Sequence, residues 1–352
     1  MNILTPVLEL VGSLGLLLYG MKLMSDGVQK SAGEKLQRTL SVVTSNKVVA
    51  ILTGMLITMI IQSSGATTVM VVTFVNAGLI SLAQSAGVIF GANIGTTITA
   101  WIVSIFGFNF KISAFAVPVV GLGYFISIFK KRKYQNIGEA IMGFGLLFLG
   151  LSGLSSVFTP DQLGWMLNIK GTGASAIILG FLIGIVVTAL LHSSSAFSAI
   201  VITMAYNGLI SWELAAAMTL GSNVGSTVDS IMASMGTSAN GRRAALIHVM
   251  FNLFGTIVVL CFLKPFLELV MFITPGQENS NIAIRISMLH TVFNIITTCV
   301  MTPLSGKLVK IAEFLIKDDP SEKKKVFKLE FIEYGGKENV ATYIIQAEKA
   351  IA

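Results

Sequence analysis

The chain has 352 residues, of which 54% are hydrophobic and only 12% are charged. Soluble domains usually hold about 45–50% apolar and about 25% charged residues, so this composition excludes an ordinary soluble enzyme and a disordered chain. Residues 48–110 include no Lys, Arg, Asp or Glu. Because about 20 apolar residues make one helical span, we expect an all-α integral membrane protein in a lipid bilayer.

The net charge of +7 does not indicate a nucleic-acid partner. The basic residues cluster in short segments between apolar runs, which is how membrane topology is encoded. They do not form a basic stripe with interleaved aromatic residues. Cys261 and Cys299 both lie inside apolar runs, so we predict no disulfide framework.

In chain order, residues 1–133 form the first predicted unit, with three full spans and one hairpin. The two short halves of the hairpin flank Gln62-Ser63-Ser64-Gly65, and an amphipathic stretch connects it to the first span. Glycines interrupt the second span at Gly91-Ala92-Asn93-Ile94-Gly95. The predicted bounds are 7–24, 83–106 and 112–129 for the spans and 47–77 for the hairpin.

Residues 134–265 form a second unit with the same order of elements. Its hairpin flanks His192-Ser193-Ser194-Ser195, and its second span carries Gly221-Ser222-Asn223-Val224-Gly225. An extra transmembrane helix is predicted within 266–317, with its apolar span at about 282–302, and a polar cytoplasmic tail over 318–352. The predicted spans of the second unit are 137–156, 212–236 and 244–263, and its hairpin is 173–207.

The two units are predicted to be copies of one repeat. Residues 54–100 align with residues 184–230 at a constant offset of 130, with 16 identities in 47 positions. The matches include polar Ser, Asn and Thr positions, which generic apolar similarity does not align. An internal repeat therefore organises most of the chain.

The charges predict how the repeats sit in the membrane. Fifteen residues of helix reach only about 22 Å, short of a hydrocarbon core of about 30 Å, so each hairpin is predicted to be re-entrant. This arrangement puts 20 of the 24 Lys and Arg residues on one side, which is then cytoplasmic. Each unit has an odd number of spans, so the repeats are predicted to be inverted, as in secondary transporters, with an outside N-terminus and a cytoplasmic C-terminus.

The two hairpin tips are the predicted anion site. Their serine hydroxyls can donate hydrogen bonds, and the helix after each tip points its positive end into the same place. The alternative is that the serines only form hydrogen bonds between packed helices. The predicted anion-binding residues are Gln62, Ser63, Ser64, His192, Ser193, Ser194 and Ser195.

The two glycine-rich interruptions are the predicted sodium site. Glycines around an Asn within a span predict local unwinding, and free carbonyls with Asn and Thr oxygens suit a small cation. The alternative is close helix packing through small residues. The predicted sodium-binding residues are Asn93, Thr96, Thr97, Asn223, Ser226 and Thr227; no other metal and no cofactor is predicted.

In the sequence, no Lys or Arg stands near either tip or either interruption. An anion would then be held by hydroxyls, amides and helix N-termini, each of which acts as roughly half a positive charge. Co-bound cations would supply the missing charge. This absence favours cation-coupled anion transport over a simple anion pore, which is more often ringed by Arg or Lys.

Several ionisable residues leave alternatives open. Asp229 either serves a cation or proton site or lies near the end of its span, and His192 is either a titrating group or a neutral hydrogen-bond donor. His192 beside Ser193 also raises an intramembrane serine hydrolase, although the sequence places no acid to orient the histidine. His248 and His290, each four residues before an Asn, are interpreted as packing contacts.

The doubled motifs resemble those of the type II sodium–phosphate cotransporter family in its bacterial form. That family carries Gln-Ser-Ser-Ser and then Gly-Ala/Ser-Asn-Ile/Val-Gly-Thr-Thr in each of two inverted repeats, and the likeness covers about residues 7 to 310. It implies sodium-coupled transport of inorganic phosphate, with both ions held at the hairpin tips. Gly65, His192 and Ser226 depart from the family's pattern.

The leading hypothesis is a sodium/phosphate secondary transporter of a bacterial inner membrane, not an enzyme, that works by alternating access. A sodium-coupled carrier of another oxyanion, such as a dicarboxylate or sulfate, stays open. So does a phosphate-sensing scaffold that does not transport. A homodimer is compatible with the sequence. The tail over 318–352 resembles the linker and first helix that lead to a PhoU-type domain in many bacterial relatives.

Overall fold

Every regular element in the described part of the computed structural model is a helix. The described residues are 4–41, 46–109, 115–159, 173–274 and 281–318. The predicted tail after residue 318 and the start of the predicted span 112–129 lie outside these ranges.

The first part of the chain alternates long and short helices. They are α1 (Leu4–Ser41), α2 (Lys47–Ile61), α3 (Ser64–Asn76), α4 (Leu82–Gly95), α5 (Thr97–Ile102), the π-helix Val103–Asn109 and α6 (Ala116–Ser127). The second part follows the same order and adds two helices at its end. They are α7 (Arg132–Val157), α8 (Ala174–Leu191), α9 (Ser194–Tyr206), α10 (Trp212–Gly225), α11 (Thr227–Ser234), α12 (Ala239–Cys261), α13 (Leu263–Ile273) and α14 (Ile282–Leu315).

Local signals that both parts share set the start of α4 and α10. Gly78 and Gly208 adopt left-handed φ angles of 70° and 73°, which turn the chain after each helix pair. Ser81 then caps α4, where the Gln84 side chain completes a capping box, and Ser211 caps α10. The matched Gly-Leu-Ile-Ser segments are therefore turn and cap signals.

Within the described ranges, six helical segments are long and apolar enough to cross a membrane, by length and composition. They cover Thr5–Ser31, Leu82–Phe108, Arg132–Val157, Ala174–Leu191, Ala239–Cys261 and Ile282–Leu315. The chain is therefore a multi-pass membrane protein, as its composition predicts. The set includes α8, the first arm of the second predicted hairpin, whereas the matching α2 is shorter.

Two long helices extend beyond their predicted spans. α1 continues to Ser41, past the predicted end at residue 24, and α14 continues through Pro303 to Leu315. Hydropathy marks where a span leaves the apolar region, but polar helix formers continue the backbone hydrogen bonds beyond that point. The short helix α13 was not predicted.

The predicted unwinding at the glycine-rich interruptions is wrong. α4 stays helical through Gly91 and Gly95, and a single residue, Thr96, separates it from α5. In the second part Ser226 alone separates α10 from α11. A Cβ on Gly91 would overlap the carbonyl oxygen of Ile51 on α2. The glycines therefore allow close helix packing, the alternative that the sequence left open.

The same close backbone contact recurs in the second part. A Cβ on Gly221 would overlap the carbonyl oxygen of Phe181 on α8. Gly54 on α2 and Gly184 on α8 meet α4 and α10 in the same way. These positions correspond at the offset of 130. The first helix of each pair therefore packs against the helix that follows the pair through the same close glycine contacts.

α1 and α7 cross in antiparallel directions at glycines. A Cβ on Gly20 would overlap the backbone of Leu147, and a Cβ on Gly150 would overlap the backbone of Leu17. Leu147 and Gly150 stand 130 residues after Leu17 and Gly20. The contact is therefore reciprocal, as in an interface with two-fold symmetry.

The helices that carry the motifs lie at the centre of the protein. Most residues of α4, α9 and α10 are buried. α1, α6 and α8 instead expose apolar side chains, among them Val11, Phe125 and Leu190. Exposed apolar surface of this kind suits contact with lipid, and it leaves the polar tips in the interior.

Candidate substrate-binding site

The two helix pairs end in tips of the same backbone geometry. Gln62 and His192 have left-handed φ angles of 61° and 50°, which end α2 and α8. Ser63 and Ser193 then cap α3 and α9, where each hydroxyl accepts the backbone N–H three residues later, at 3.1 and 3.2 Å. Two residues with unrelated side chains therefore have the same unusual backbone conformation, because the tip requires it at both positions.

Both tips open into one cavity of about 380 Å³. All seven predicted phosphate-binding residues line this cavity, although the two tips are 130 residues apart in sequence. Its polar lining residues are Lys22, Ser25, Asp26, Gln29, Gln62, Ser63, Ser64, His192, Ser193, Ser194, Ser195, Ser226 and Asp229. The structure thus brings the two serine-rich motifs together around a single space.

Two of the serines offer hydroxyls to that space. Within the described residues, the hydroxyls of Ser64 and Ser194 have no hydrogen-bond partner, in contrast to the capping hydroxyls before them. Each stands in the first turn of a helix, where backbone N–H groups are unpaired and the helix dipole is positive. The arrangement suits an anion with several oxygens.

Each tip forms a hydrogen bond to the short helix that follows an interruption. The Gln62 Oε1 atom accepts a hydrogen bond from the Thr99 hydroxyl at 2.9 Å. The His192 Nδ1 atom lies 2.7 Å from Asp229 Oδ1 and donates to it. Thr99 and Asp229 correspond at the offset of 130, so a histidine–carboxylate pair in the second part replaces the glutamine–threonine pair of the first.

The last residue of each tip contacts the other part of the chain. The Ser195 hydroxyl donates to Thr99 at 3.3 Å. At the equivalent place, a Cβ on Gly65 would lie 2.6 Å from Asp229 Oδ2. The departures from the family pattern at Gly65 and His192 are therefore linked, since both residues face the same carboxylate.

Most of the predicted sodium-binding residues lie outside the lining of this cavity. Ser226 alone among them lines the cavity. The Asn223 Oδ1 atom instead accepts a hydrogen bond from His290 Nε2 on α14 at 2.9 Å, which also makes His290 a packing contact. The remaining predicted sodium-binding residues lie outside the lining, and these are Asn93, Thr96, Thr97 and Thr227.

A positive charge that the sequence analysis missed also lines the cavity. Lys22 belongs to α1, together with Ser25, Asp26 and Gln29 on the same helix face. The segments near the motifs have no Lys or Arg in the sequence. The fold nevertheless brings a lysine to the cavity from another helix. The four-residue spacing of the polar side chains along α1 is the signal that could have found this face.

The structure also places an acid beside His192, namely Asp229, which the sequence could not do. A serine hydrolase would further need a serine hydroxyl within hydrogen-bond distance of the histidine. In the described part of the chain, no serine hydroxyl forms a hydrogen bond with His192. The site therefore lacks the contact that would activate a serine nucleophile.

A central polar cavity within a multi-pass helical membrane protein is the arrangement of a solute transporter. The chain belongs to the Na+/Pi-cotransporter family, whose model matches residues 16–156 and 166–298. This is a family of transporters rather than of enzymes. Each matched stretch contains one of the two serine-rich tips. No solved structure matches the chain.

Three relatives show how far the similarity extends. "Uncharacterized protein YqeW" of Bacillus subtilis (strain 168) is 28% identical over 306 residues, which are 85% of this chain and 94% of that protein. "Putative inorganic phosphate export protein YjbB" of Escherichia coli (strain K12) is 28% identical over 316 residues, 89% of this chain but 56% of its own length. "Sodium-dependent phosphate transport protein 2B" of Rattus norvegicus is 33% identical over 131 residues, 36% of this chain and 18% of that protein.

Proposed function

We propose that the protein transports inorganic phosphate together with sodium by alternating access. The observation that carries the proposal is the meeting of two serine-rich tips in one cavity, where free hydroxyls and two helix N-termini face the same space. Membership of the Na+/Pi-cotransporter family supports phosphate as the substrate and sodium as the coupling ion. The names of the Escherichia coli and rat relatives agree with phosphate.

The charges of the cavity support sodium coupling. Asp26 and Asp229 bring two carboxylates to the lining, against one lysine, Lys22. A phosphate dianion therefore meets negative charge, and like charges repel strongly where little water screens them. Sodium ions bound beside the anion would offset this repulsion. Asp229 and the Ser226 hydroxyl supply oxygen ligands that suit a hard cation.

Alternating access needs two related halves that can exchange roles. We propose that residues 1–133 and 134–265 are inverted repeats with re-entrant hairpins, and that the tips move against the remaining helices. The reciprocal antiparallel contact of α1 with α7 supports this arrangement. The distribution of Lys and Arg supports an outside N-terminus and a cytoplasmic C-terminus in a bacterial inner membrane.

Uptake into proteoliposomes tests the proposal. Protein reconstituted with an inward sodium gradient is expected to accumulate radiolabelled phosphate, and protein with a potassium gradient is not. Ser64→Ala and Ser194→Ala are each expected to lower uptake at least tenfold, because a hydrogen bond to a charged group contributes about 1.5–3 kcal/mol. Unchanged uptake by both variants would contradict the site.

Ser198→Ala is the matched control for Ser194→Ala. Ser198 lies one turn later on α9, is buried, and its hydroxyl has no hydrogen-bond partner among the described residues. Its removal is expected to leave uptake unchanged. The same vesicles separate the alternatives: stronger competition by sulfate or a dicarboxylate than by phosphate would indicate another oxyanion, and sodium-dependent binding without accumulation would indicate a sensing scaffold.

A further inference from the structure

We propose that the ammonium group of Lys22 is a direct ligand of the transported anion. The inference rests on the proposed function and adds a residue from α1, outside both motif pairs. Among the cavity's lining residues, Lys22 is the only Lys or Arg. It therefore brings to the cavity the lysine ammonium group that neither tip carries.

A specific contact fixes α1 against the first tip. The Ser25 hydroxyl donates to the carbonyl oxygen of Ile61 at 2.7 Å, and Ile61 directly precedes Gln62. Lys22 precedes Ser25 by three residues, which is about 4.5 Å along the helix and on the same face. Residues on this face from Leu18 to Gln29 line the cavity. This hydrogen bond therefore fixes the part of α1 that carries Lys22 beside the first tip.

Lys22 is not committed to another group in the described part of the protein. Asp26 lies one turn later in the same lining, but the two side chains do not form an ion pair. Lys30, two turns beyond Lys22 on α1, does form one, with Glu139 at 3.4 Å. The Lys22 side chain is exposed and lines the polar cavity, so its ammonium group is accessible to an anion that enters there.

Only the first part of the chain contributes a Lys or Arg to the cavity lining. The position equivalent to Lys22 in the second part is Ser152, which does not line the cavity. The tips share their first two serines, whereas the charges around them differ. We therefore expect the anion to bind between α1 and the tips, and Lys22 to set the affinity for the anion more than the affinity for sodium.

Initial rates of sodium-driven phosphate uptake test this assignment. Lys22→Gln is expected to raise the KM for phosphate about ten- to a hundredfold, because a charge-assisted hydrogen bond is lost, and to change the KM for sodium much less. Lys22→Arg keeps the charge and is expected to keep the KM for phosphate within about threefold. Lys30→Gln, on the same helix but outside the cavity, is expected to behave as the wild type.

Asp26→Asn separates anion binding from a role in pairing with Asp26. If Lys22 only balanced that carboxylate, both neutralised variants would weaken phosphate uptake alike, which would overturn the inference. An anion ligand predicts opposite effects, since loss of a carboxylate lowers the KM for phosphate or leaves it unchanged. Wild-type KM values in Lys22→Gln would also overturn it, while leaving the proposed function standing. The proposed function itself fails if the wild type shows no sodium-driven uptake.

Chemical protection gives a second measurement that needs no variant. Phosphate with sodium is expected to protect Lys22 of the wild-type protein from an amine-acetylating reagent, as measured by mass spectrometry. Lys30 is expected to react equally with and without phosphate. Equal acetylation of Lys22 under both conditions would overturn the inference, even where the Lys22→Gln protein does not fold.

Discussion

Gly91→Ala is expected to prevent the protein from folding stably. The added Cβ would overlap the carbonyl oxygen of Ile51, and this backbone atom cannot move without separating α2 from α4. Overpacking usually costs about 1–3 kcal/mol, and a backbone obstacle puts this substitution at the upper end of that range. The measurements are the yield of monodisperse protein in detergent and the midpoint of its thermal unfolding.

Substitutions at two further glycines provide a control and an equivalent test. Gly15→Ala on α1 is the matched control, because no heavy atom lies within 4 Å of its Cβ position. Alanine is favoured over glycine within a helix by about 0.5–1 kcal/mol, so this variant is expected to be as stable as the wild type or slightly more so. Gly221→Ala is expected to fail as Gly91→Ala does. A stable Gly91→Ala protein with weakened sodium dependence would instead support an unwound helix at this position.

The helix pairs were predictable because their signals are local. The tips at Gln62-Ser63-Ser64-Gly65 and His192-Ser193-Ser194-Ser195 end and restart a helix within four residues, and hydroxyl caps make the restart visible in the sequence. The shared Gly-Leu-Ile-Ser turns behave in the same way. The ends of α1 and α14 were not visible, since a change in polarity does not stop a helix.

The site was predictable only where the repeat itself supplied long-range information. Symmetry suggested that the two tips share a role, and the structure places both in one cavity. Lys22 was missed because its contact with the tips is tertiary and leaves no trace near the motifs. The glycines around Asn93 were misread because small residues serve both unwound backbone and close packing, and only the neighbouring helix distinguishes the two uses.

The pairing of His192 with Asp229 needed the fold as well. The two residues are 37 positions apart, and the sequence marks each of them separately without indicating that they form a pair. Together with Gly65 they form one unit, which corresponds at the offset of 130 to the neutral unit of Gln62, Thr99 and Ser195. A single change in this unit should therefore be harmful, and a matched second change should relieve it.

Gly65→Ser is expected to lower both thermal stability and phosphate uptake. Its Cβ would lie 2.6 Å from Asp229 Oδ2 and 3.4 Å from Asp229 Cγ, so the carboxylate that His192 contacts through Oδ1 must shift. The displaced carboxylate would approach the hydroxyls where the anion is proposed to bind, and we expect uptake to fall by about tenfold or more, the effect of about 1.4 kcal/mol in binding. Gly121→Ser on α6, with no heavy atom within 4 Å, is the control.

Asp229→Thr is expected to relieve the damage, because it gives position 229 the residue found at Thr99, which accepts a hydrogen bond from Ser195 in the other half. Residues in direct contact usually show coupling energies of about 0.5–3 kcal/mol. The double variant Gly65→Ser/Asp229→Thr should therefore unfold at a higher temperature than Gly65→Ser alone. Equal costs of Gly65→Ser with and without Asp229→Thr would show that the two positions do not interact. A double variant that recovers stability but not uptake would assign the Asp229 carboxylate to sodium binding rather than to packing. The tip geometry would be restored, and only the loss of a cation ligand would persist.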